Sequence, residues 1–177
     1  MSLIQIKDKK FTPYLTAKEI DTAVSDVAKK INEDFKGQKV LFLAVLNGSF
    51  MFASDLLKKI DLDCEISFVK LASYSGTEST GTVKSLIGLT QSLEGLNVIL
   101  LEDIIDTGNT LDKLIPTLEA EKPKTLSMCT LLFKPEAFVA DFKIDYIGLE
   151  IPNKFIVGYG LDYDQLGRNL ADIYQIV

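Results

Sequence analysis

Three features of the sequence predict an α/β fold built on a parallel sheet. Short apolar runs alternate with longer amphipathic stretches, with no internal repeat or low-complexity linker between them. Most of the runs are continuously apolar rather than alternating, as strands covered on both faces require. Strand–helix–strand order then implies parallel pairing through helical crossovers. In such sheets ligands bind at the carboxyl ends of the strands, and chemistry is sought there.

The elements follow in order. Residues 16–35 place Ile20, Val24, Val27, Ala28, Ile31 and Phe35 near a helical period, and Thr16 with Glu19 forms a capping-box signature. Residues 40–46 read as a buried strand and 49–60 as a helix. Residues 64–72 form the next strand. The segment from Ser73 to Lys84 is rich in Ser, Thr and Gly and has no apolar period. A loop this long inside a compact chain is more often functional than idle, so it reads as a lid rather than a plain surface loop. Residues 97–101 form a strand with Glu102 and Asp103 just beyond its end, and 107–120 form a helix. Residues 126–133, 146–149 and 155–159 complete the strands.

Composition narrows the function. The 177 residues suit one domain with a core of its own. Nineteen Lys and Arg against 25 Asp and Glu give a net charge of −6. That balance disfavours nucleic acid as a partner, because backbone binding runs on Lys and Arg releasing counterions. No apolar run is long enough to span a bilayer. The chain has no histidine, so there is no Ser-His-Asp triad, no His-ligated zinc and no imidazole base. A general base must be Asp, Glu, Lys or Tyr. Cys64 and Cys129 read as small buried hydrophobes. The N-terminal stretch lacks the apolar core of a signal peptide, and a cytoplasmic location is the expectation.

The most informative stretch runs from Gly95 to Leu111. An apolar strand leads into Glu102 and Asp103, then two apolar residues, then Asp106-Thr-Gly-Asn-Thr110 and a helix. Backbone N–H groups of Thr107, Gly108, Asn109 and Thr110 would converge with the positive end of that helix, a cradle suited to phosphate. Gly108 lets the backbone approach closely. Glu102 and Asp103 are acceptors that could take a vicinal diol or help hold a metal. A capping role for Asp106 or Thr107 explains one carboxylate, not two more at the end of an apolar strand, where desolvating charge is costly. Cradle plus diol acceptors suggest a ribose phosphate.

Residues 100–111 resemble the phosphoribosyl-pyrophosphate (PRPP) motif of the type I phosphoribosyltransferases: apolar strand, two acids, two apolar residues, Asp, Thr or Ser, Gly, any residue, Thr. Leu46-Asn-Gly-Ser49 resembles that family's pyrophosphate loop, and Ser73-Tyr74 its flexible lid. Leu131-Leu-Phe-Lys134, and Ile151-Pro-Asn-Lys-Phe-Ile-Val-Gly-Tyr-Gly-Leu-Asp-Tyr163 with Arg168 after it, resemble the hypoxanthine(-guanine) branch. The resemblance covers the chain from about Val40 onward. It implies one phosphoribosyltransferase domain over 1–177, a core of about 16–150 and a small hood from the N-terminal residues and about 151–177.

The resemblance also implies roles. The reaction joins a 6-oxopurine to PRPP, giving a nucleoside monophosphate and pyrophosphate through an oxocarbenium-like transition state. Asp106 would be the general base near purine N7. Thr107, Gly108, Asn109 and Thr110 would hold the 5′-phosphate, and Glu102 and Asp103 the ribose hydroxyls. Leu46, Asn47, Gly48 and Arg168 would meet pyrophosphate, where a planar guanidinium suits paired oxygens. Phe155 would stack on the base, Ile156 would read its edge through the backbone, and Lys134 would donate to O6. Lys154 would lie beside the pocket. Asp162 would face the purine side and help bind Mg²⁺, with Glu102 and Asp103 as further candidates. The implied assembly is a homodimer or homotetramer. Many relatives carry Lys where this chain has Asn47, which removes a cation beside pyrophosphate. A non-catalytic PRPP-binding regulator of the same fold is the alternative. It would need a basic face to bind nucleic acid, and this acidic chain shows no basic cluster.

Overall fold

The continuously apolar runs form the inner strands of a sheet, where both faces of each strand are covered. The computed structural model describes residues 3–71, 85–89 and 91–177. Along the chain come β1 (Ile4–Ile6), β2 (Lys9–Leu15), α1 (Ala17–Asp34), β3 (Val40–Leu46), α2 (Phe50–Leu57), β4 (Cys64–Leu71) and β5 (Ser85–Ile87). Then follow β6 (Asn97–Ile105), α3 (Asn109–Ala120), β7 (Thr125–Phe133), β8 (Tyr146–Glu150), β9 (Ile156–Val157) and β10 (Ile173–Ile176). The larger sheet has the order β5-β4-β3-β6-β7-β8. Its five strands from β4 to β8 in that order are parallel, and β5 pairs antiparallel at the edge.

Side-chain alternation on β3 divides the core. Phe42 and Ala44 pack with α1 and α2, against Ile20, Val24, Val27, Ile31, Phe52 and Leu56. Leu41, Leu43 and Val45 face the other way, towards Leu111, Leu114 and Leu118 of α3. The α1 start is the predicted capping box: Glu19 N–H donates to Thr16 Oγ1 at 3.2 Å, and Thr16 N–H donates to Glu19 Oε2 at 2.8 Å. The chain steps from β3 to β4 on one side and from β6 to β7 on the other. The sheet order therefore reverses between β3 and β6, and their carboxyl ends border a crevice.

A second, antiparallel sheet has the order β1-β2-β10-β9, so residues from the two ends of the chain interleave in it. Its Ile156 and Ile173 join the same apolar cluster as Phe42 and Ile20. The expected parallel sheet flanked by helices is present. Cys129 is buried as expected, whereas Cys64, at the first position of β4, is exposed. Four further details differ from expectation. β6 runs on through both acids to Ile105, because β7 offers partners as far as Phe133. The strand expected at 155–159 shrinks to Ile156–Val157 and belongs to the second sheet, since positive φ at Gly158, Tyr159 and Gly160 turns the chain. The helix expected to reach residue 60 ends at Leu57, and its last turn tightens through Lys59 N–H to Leu56 O and Ile60 N–H to Leu57 O. The strands β1, β2, β5 and β10 were not expected as strands. Ser73, Tyr74 and the polar segment that they open lie outside the described residues. Among the described residues, no helix is long and apolar enough to cross a membrane.

Phe42 is fully buried in the central strand pair. Phe42→Ala should destabilise the protein by about 3–5 kcal/mol, read as a lowered urea midpoint with an unchanged slope.

Candidate active site

Among the described residues four loops reach the crevice, from the carboxyl ends of β3, β6, β7 and β8. The β3 loop is Leu46-Asn47-Gly48, with a cis peptide between Leu46 and Asn47. Ser49 closes it: its buried hydroxyl donates to Val45 O at 2.6 Å. At Gly48 a Cβ would collide with the Asp103 carboxylate. Only glycine lets the β6 acid lie against this loop.

Glu102 and Asp103 are neighbours in an extended strand, so their side chains diverge. Asp103 turns towards Gly48. Glu102 Oε2 is cut off from solvent and has no hydrogen-bond partner. Burial, with Asp103 beside it, pushes the Glu102 carboxyl well above the usual carboxylate range. Burial pushes Asp103 up to about 6; the N–H groups of Ile104 and Asp103, and then the Arg168 guanidinium, pull the other way. Two desolvated carboxylates with an orphaned oxygen form an acceptor-rich site that a polyol or a hard cation would satisfy. Among the described residues no three His, Cys, Asp or Glu side chains converge, so Glu102, Asp103 and Asp162 make no closed cage. Mg²⁺ needs none, since it takes one or two carboxylates and fills its shell with water and substrate oxygens.

Beyond Ile105 the chain turns into α3. Gly108, with φ of 84°, is the N-cap, and no side chain caps the helix. Asp106 does not cap it; its Oδ2 accepts from Lys134 Nζ at 2.8 Å instead. Thr107 Oγ1 approaches Asn109 N at 3.4 Å. The first turn of α3 thus opens its N–H groups outward, with Thr107, Asn109 and Thr110 exposed. The loop has a solid floor. Phe138 and Ala140 press against Gly108, and Val139 N–H donates to Thr107 O at 3.2 Å.

Lys134, at the end of β7, is 6% exposed. Its Nζ also reaches Asn153 Oδ1 at 3.5 Å. Past β8, Lys154 and Phe155 are exposed while Ile156 is buried. The Phe155 ring is 45% exposed, and is propped edge-on by Tyr163 at 5.9 Å and tilted against Phe11 at 6.3 Å. Asp162 Oδ1 pairs with Arg168 Nη2 at 2.7 Å, and its Oδ2 accepts from Gln165 N–H at 2.7 Å. Arg168 Nη1 donates to Gly160 O at 2.8 Å.

The structure thus gathers Gly48, Asp103, Arg168 and Asp162 at one side of the crevice, and Asp106 with Lys134 at the other. Three neighbours were not singled out from sequence. Phe11 and Tyr163 flank Phe155, and Asn153 approaches Lys134. Asn153 and Tyr163 lie inside a stretch already marked, whereas Phe11 comes from a strand with no signal of its own.

The unfolded Asp103 carboxyl titrates near 3.9, below its folded value of about 6. The native state therefore holds this proton more tightly. The stability it contributes is complete below about pH 4 and is lost as pH rises through about 6. Glu102 acts in the same direction. In protein free of ligand and metal, Asp103→Asn should raise the thermal midpoint at about pH 8, by at most about 3 kcal/mol of stability, and leave it nearly unchanged at about pH 4. A scan at the two pH values checks this.

Comparison with known proteins agrees with this geometry. The phosphoribosyl transferase domain family matches residues 13–164. The chain is similar to the hypoxanthine phosphoribosyltransferase of Buchnera aphidicola subsp. Schizaphis graminum, with 40% identity over 92% of this chain and 94% of that protein. It is similar to the hypoxanthine-guanine phosphoribosyltransferase of Staphylococcus aureus strain Mu50, with 41% identity over 90% of this chain and 89% of that one. A crystal structure of a hypoxanthine-guanine phosphoribosyltransferase from Bacillus anthracis, with a HEPES molecule in its active site, superposes with a TM-score of 0.87 and 42% identity, covering 94% and 96% of the two chains. A capless helix start beside two half-buried acids, on a sheet of this order and with relatives matched over nearly the whole length, places the chain in the phosphoribosyltransferase family.

Proposed function

We propose that the protein transfers the phosphoribosyl group of PRPP to a 6-oxopurine, hypoxanthine or guanine, giving IMP or GMP and pyrophosphate. One observation carries the reading: the ion pair of Asp106 and the buried Lys134 stands beside the uncapped start of α3. A carboxylate and an ammonium 2.8 Å apart match the N7 and O6 edge of a 6-oxopurine. The neighbouring helix start matches a phosphate.

Each residue then has a task. The N–H groups and hydroxyls of Thr107, Gly108, Asn109 and Thr110 hold the 5′-phosphate. Glu102 and Asp103 accept from the ribose hydroxyls, and this gives the orphaned Glu102 oxygen a donor. Lys134 donates to O6, and rejects adenine because an amino group there offers it no acceptor. Phe155 stacks on the base, the Ile156 backbone reads its edge, and Lys154 stays at the rim. As the bond from the anomeric carbon to pyrophosphate breaks and the bond to purine N9 forms, the proton leaving the imidazole ring of the base passes to Asp106. Arg168, steadied by Asp162, and the N–H groups of the Leu46-Asn47-Gly48 loop take the leaving pyrophosphate. Asn47 adds no charge there. Asp103, Glu102 and Asp162 are the carboxylates that would hold Mg²⁺, which supplies charge neutralisation to the pyrophosphate oxygens. The same reading treats residues 1–177 as one domain. It makes the protein a cytoplasmic homodimer or homotetramer, to be checked by fractionation and sedimentation.

With PRPP and Mg²⁺, hypoxanthine and guanine should turn over while adenine and uracil do not. Asp106→Asn should lower kcat by about a hundredfold or more. Absence of turnover with every base would overturn the reading. Exhaustive chelation should abolish turnover, and added Mg²⁺ should restore it. Undiminished activity in chelator would remove the metal from the scheme.

A further inference from the structure

Tyr159 and Asp55 have no role so far. Tyr159 lies in the turn between Gly158 and Gly160, is 5% exposed, and has a φ of 49°. A bulky residue rarely adopts that conformation unless its surroundings impose it. Its hydroxyl donates to Asp55 Oδ2 at 2.6 Å. Asp55 belongs to α2, the helix that starts two residues after Gly48. Among the described residues this is the one side-chain hydrogen bond joining the turn to α2.

The rest of the turn touches both the β3 loop and Arg168. Gly160 packs so closely on the Gly48 carbonyl that no Cβ would fit between them. Gly160 N–H donates to Arg168 O at 3.0 Å, and Gly160 O accepts from Arg168 Nη1 at 2.8 Å. Arg168 in turn holds Asp162. A short piece of chain therefore meets the β3 loop at its tip, carries the guanidinium on its far edge, and is hooked to α2 by a phenol.

We propose that the Tyr159–Asp55 hydrogen bond is a positioning contact that sets the gap between the Leu46-Asn47-Gly48 loop and the Arg168 guanidinium. This rests on the reading above, in which these are the two sides of the pyrophosphate pocket. The bond is built to hold. Burial of Asp55 opposes its charge, yet hydrogen bonds from Lys58 and Tyr159 outweigh that and keep its carboxyl below the usual range. Burial, then the carboxylate beside it, pushes the Tyr159 phenol far above its ordinary value. The pair stays a phenol donating to a carboxylate throughout the physiological pH range, a charge-assisted bond of the stronger kind. Phenylalanine at 159 would fill the same space and lose only that bond. Among the described residues no hydrogen bond, ion pair or ring contact joins Tyr159 or Asp55 to Phe155, Lys134 or Asp106, so the effect should fall chiefly on PRPP.

The test is steady-state kinetics of the full-length enzyme with PRPP, hypoxanthine and Mg²⁺. Tyr159→Phe should raise KM for PRPP about tenfold, and weaken product inhibition by pyrophosphate about as much, the size expected for loss of one charge-assisted hydrogen bond. KM for hypoxanthine should stay within about twofold and kcat within about threefold, as for loss of uniform binding of one substrate. Asp55→Ala, which leaves the Tyr159 ring in place, should show the same split and keeps the test decisive if the Tyr159 variant does not fold. The double variant should be no worse than either single one. A PRPP KM unchanged in both single variants, equal rises for both substrates, or additive effects in the double variant would each overturn the proposal. If the wild-type protein itself turns over no PRPP, the functional reading falls first. A wild-type enzyme with normal turnover isolates the failure to Tyr159 and Asp55.

Discussion

Asp103 lies against Gly48 with no room for a single carbon between them. That contact fixes the distance between β3 and β6 at the point where the sheet order reverses. A side chain at position 48 would push the β3 loop off the acid. It would also shift Gly160, which rests on the Gly48 carbonyl from the other side. Three segments far apart in sequence thus share one close-packed point. The placement of Arg168 and Asp162 follows from it, since Arg168 is bound to the Gly160 carbonyl and Asp162 is paired with Arg168.

The same point concentrates the unfavourable energy of the fold. Two carboxylates are carried into a poorly solvated strand end, and one of their oxygens has no partner. Isolated buried charge is tolerated only where the surroundings are rigid and well packed. Here they are: Leu43, Ile99, Leu100 and Leu101 next to the acids are all essentially inaccessible to solvent. Local instability at the site and a dry core beneath it are two aspects of one arrangement. An acidic protein that handles polyanions, as proposed, must do so with a few oriented groups, because its overall charge of −6 repels them.

Legibility in the sequence tracked how much of each element's reason for being was local. β3 is continuously apolar, and α1 has both its period and its capping box, so each was read within a residue or so of its observed bounds. The residues of the site clustered in motifs at strand ends, which is why most of them could be named before the fold was known. β2 was not legible. Phe11 is its one fully buried side chain, Pro13 sits inside it, and its partner β10 lies some 160 residues away in the sequence. The end of β6 was misjudged for a related reason. Charged residues argue locally for a strand end, but the pairing with Thr130 and Leu132 of β7 overrides them. Tyr159–Asp55 and Phe11–Phe155 were equally out of reach, because each joins segments that no periodicity connects.

The second sheet has a consequence for how the chain is made. By Glu150 the larger sheet has all of its strands, and a nascent chain of that length could already bury both faces of β3. β2, synthesised before β3, has no partner for its second edge until β10 has emerged, because β10 sits between β2 and β9. Contacts of such long sequence separation form late. Phe11 therefore meets Phe155 and Tyr163 only once β10 is available to pair with β2. The molecule passes through a period in which its scaffold is complete and its binding face is not. During translation, then, a folded sheet and a working site are separated in time by the synthesis of β9 and β10.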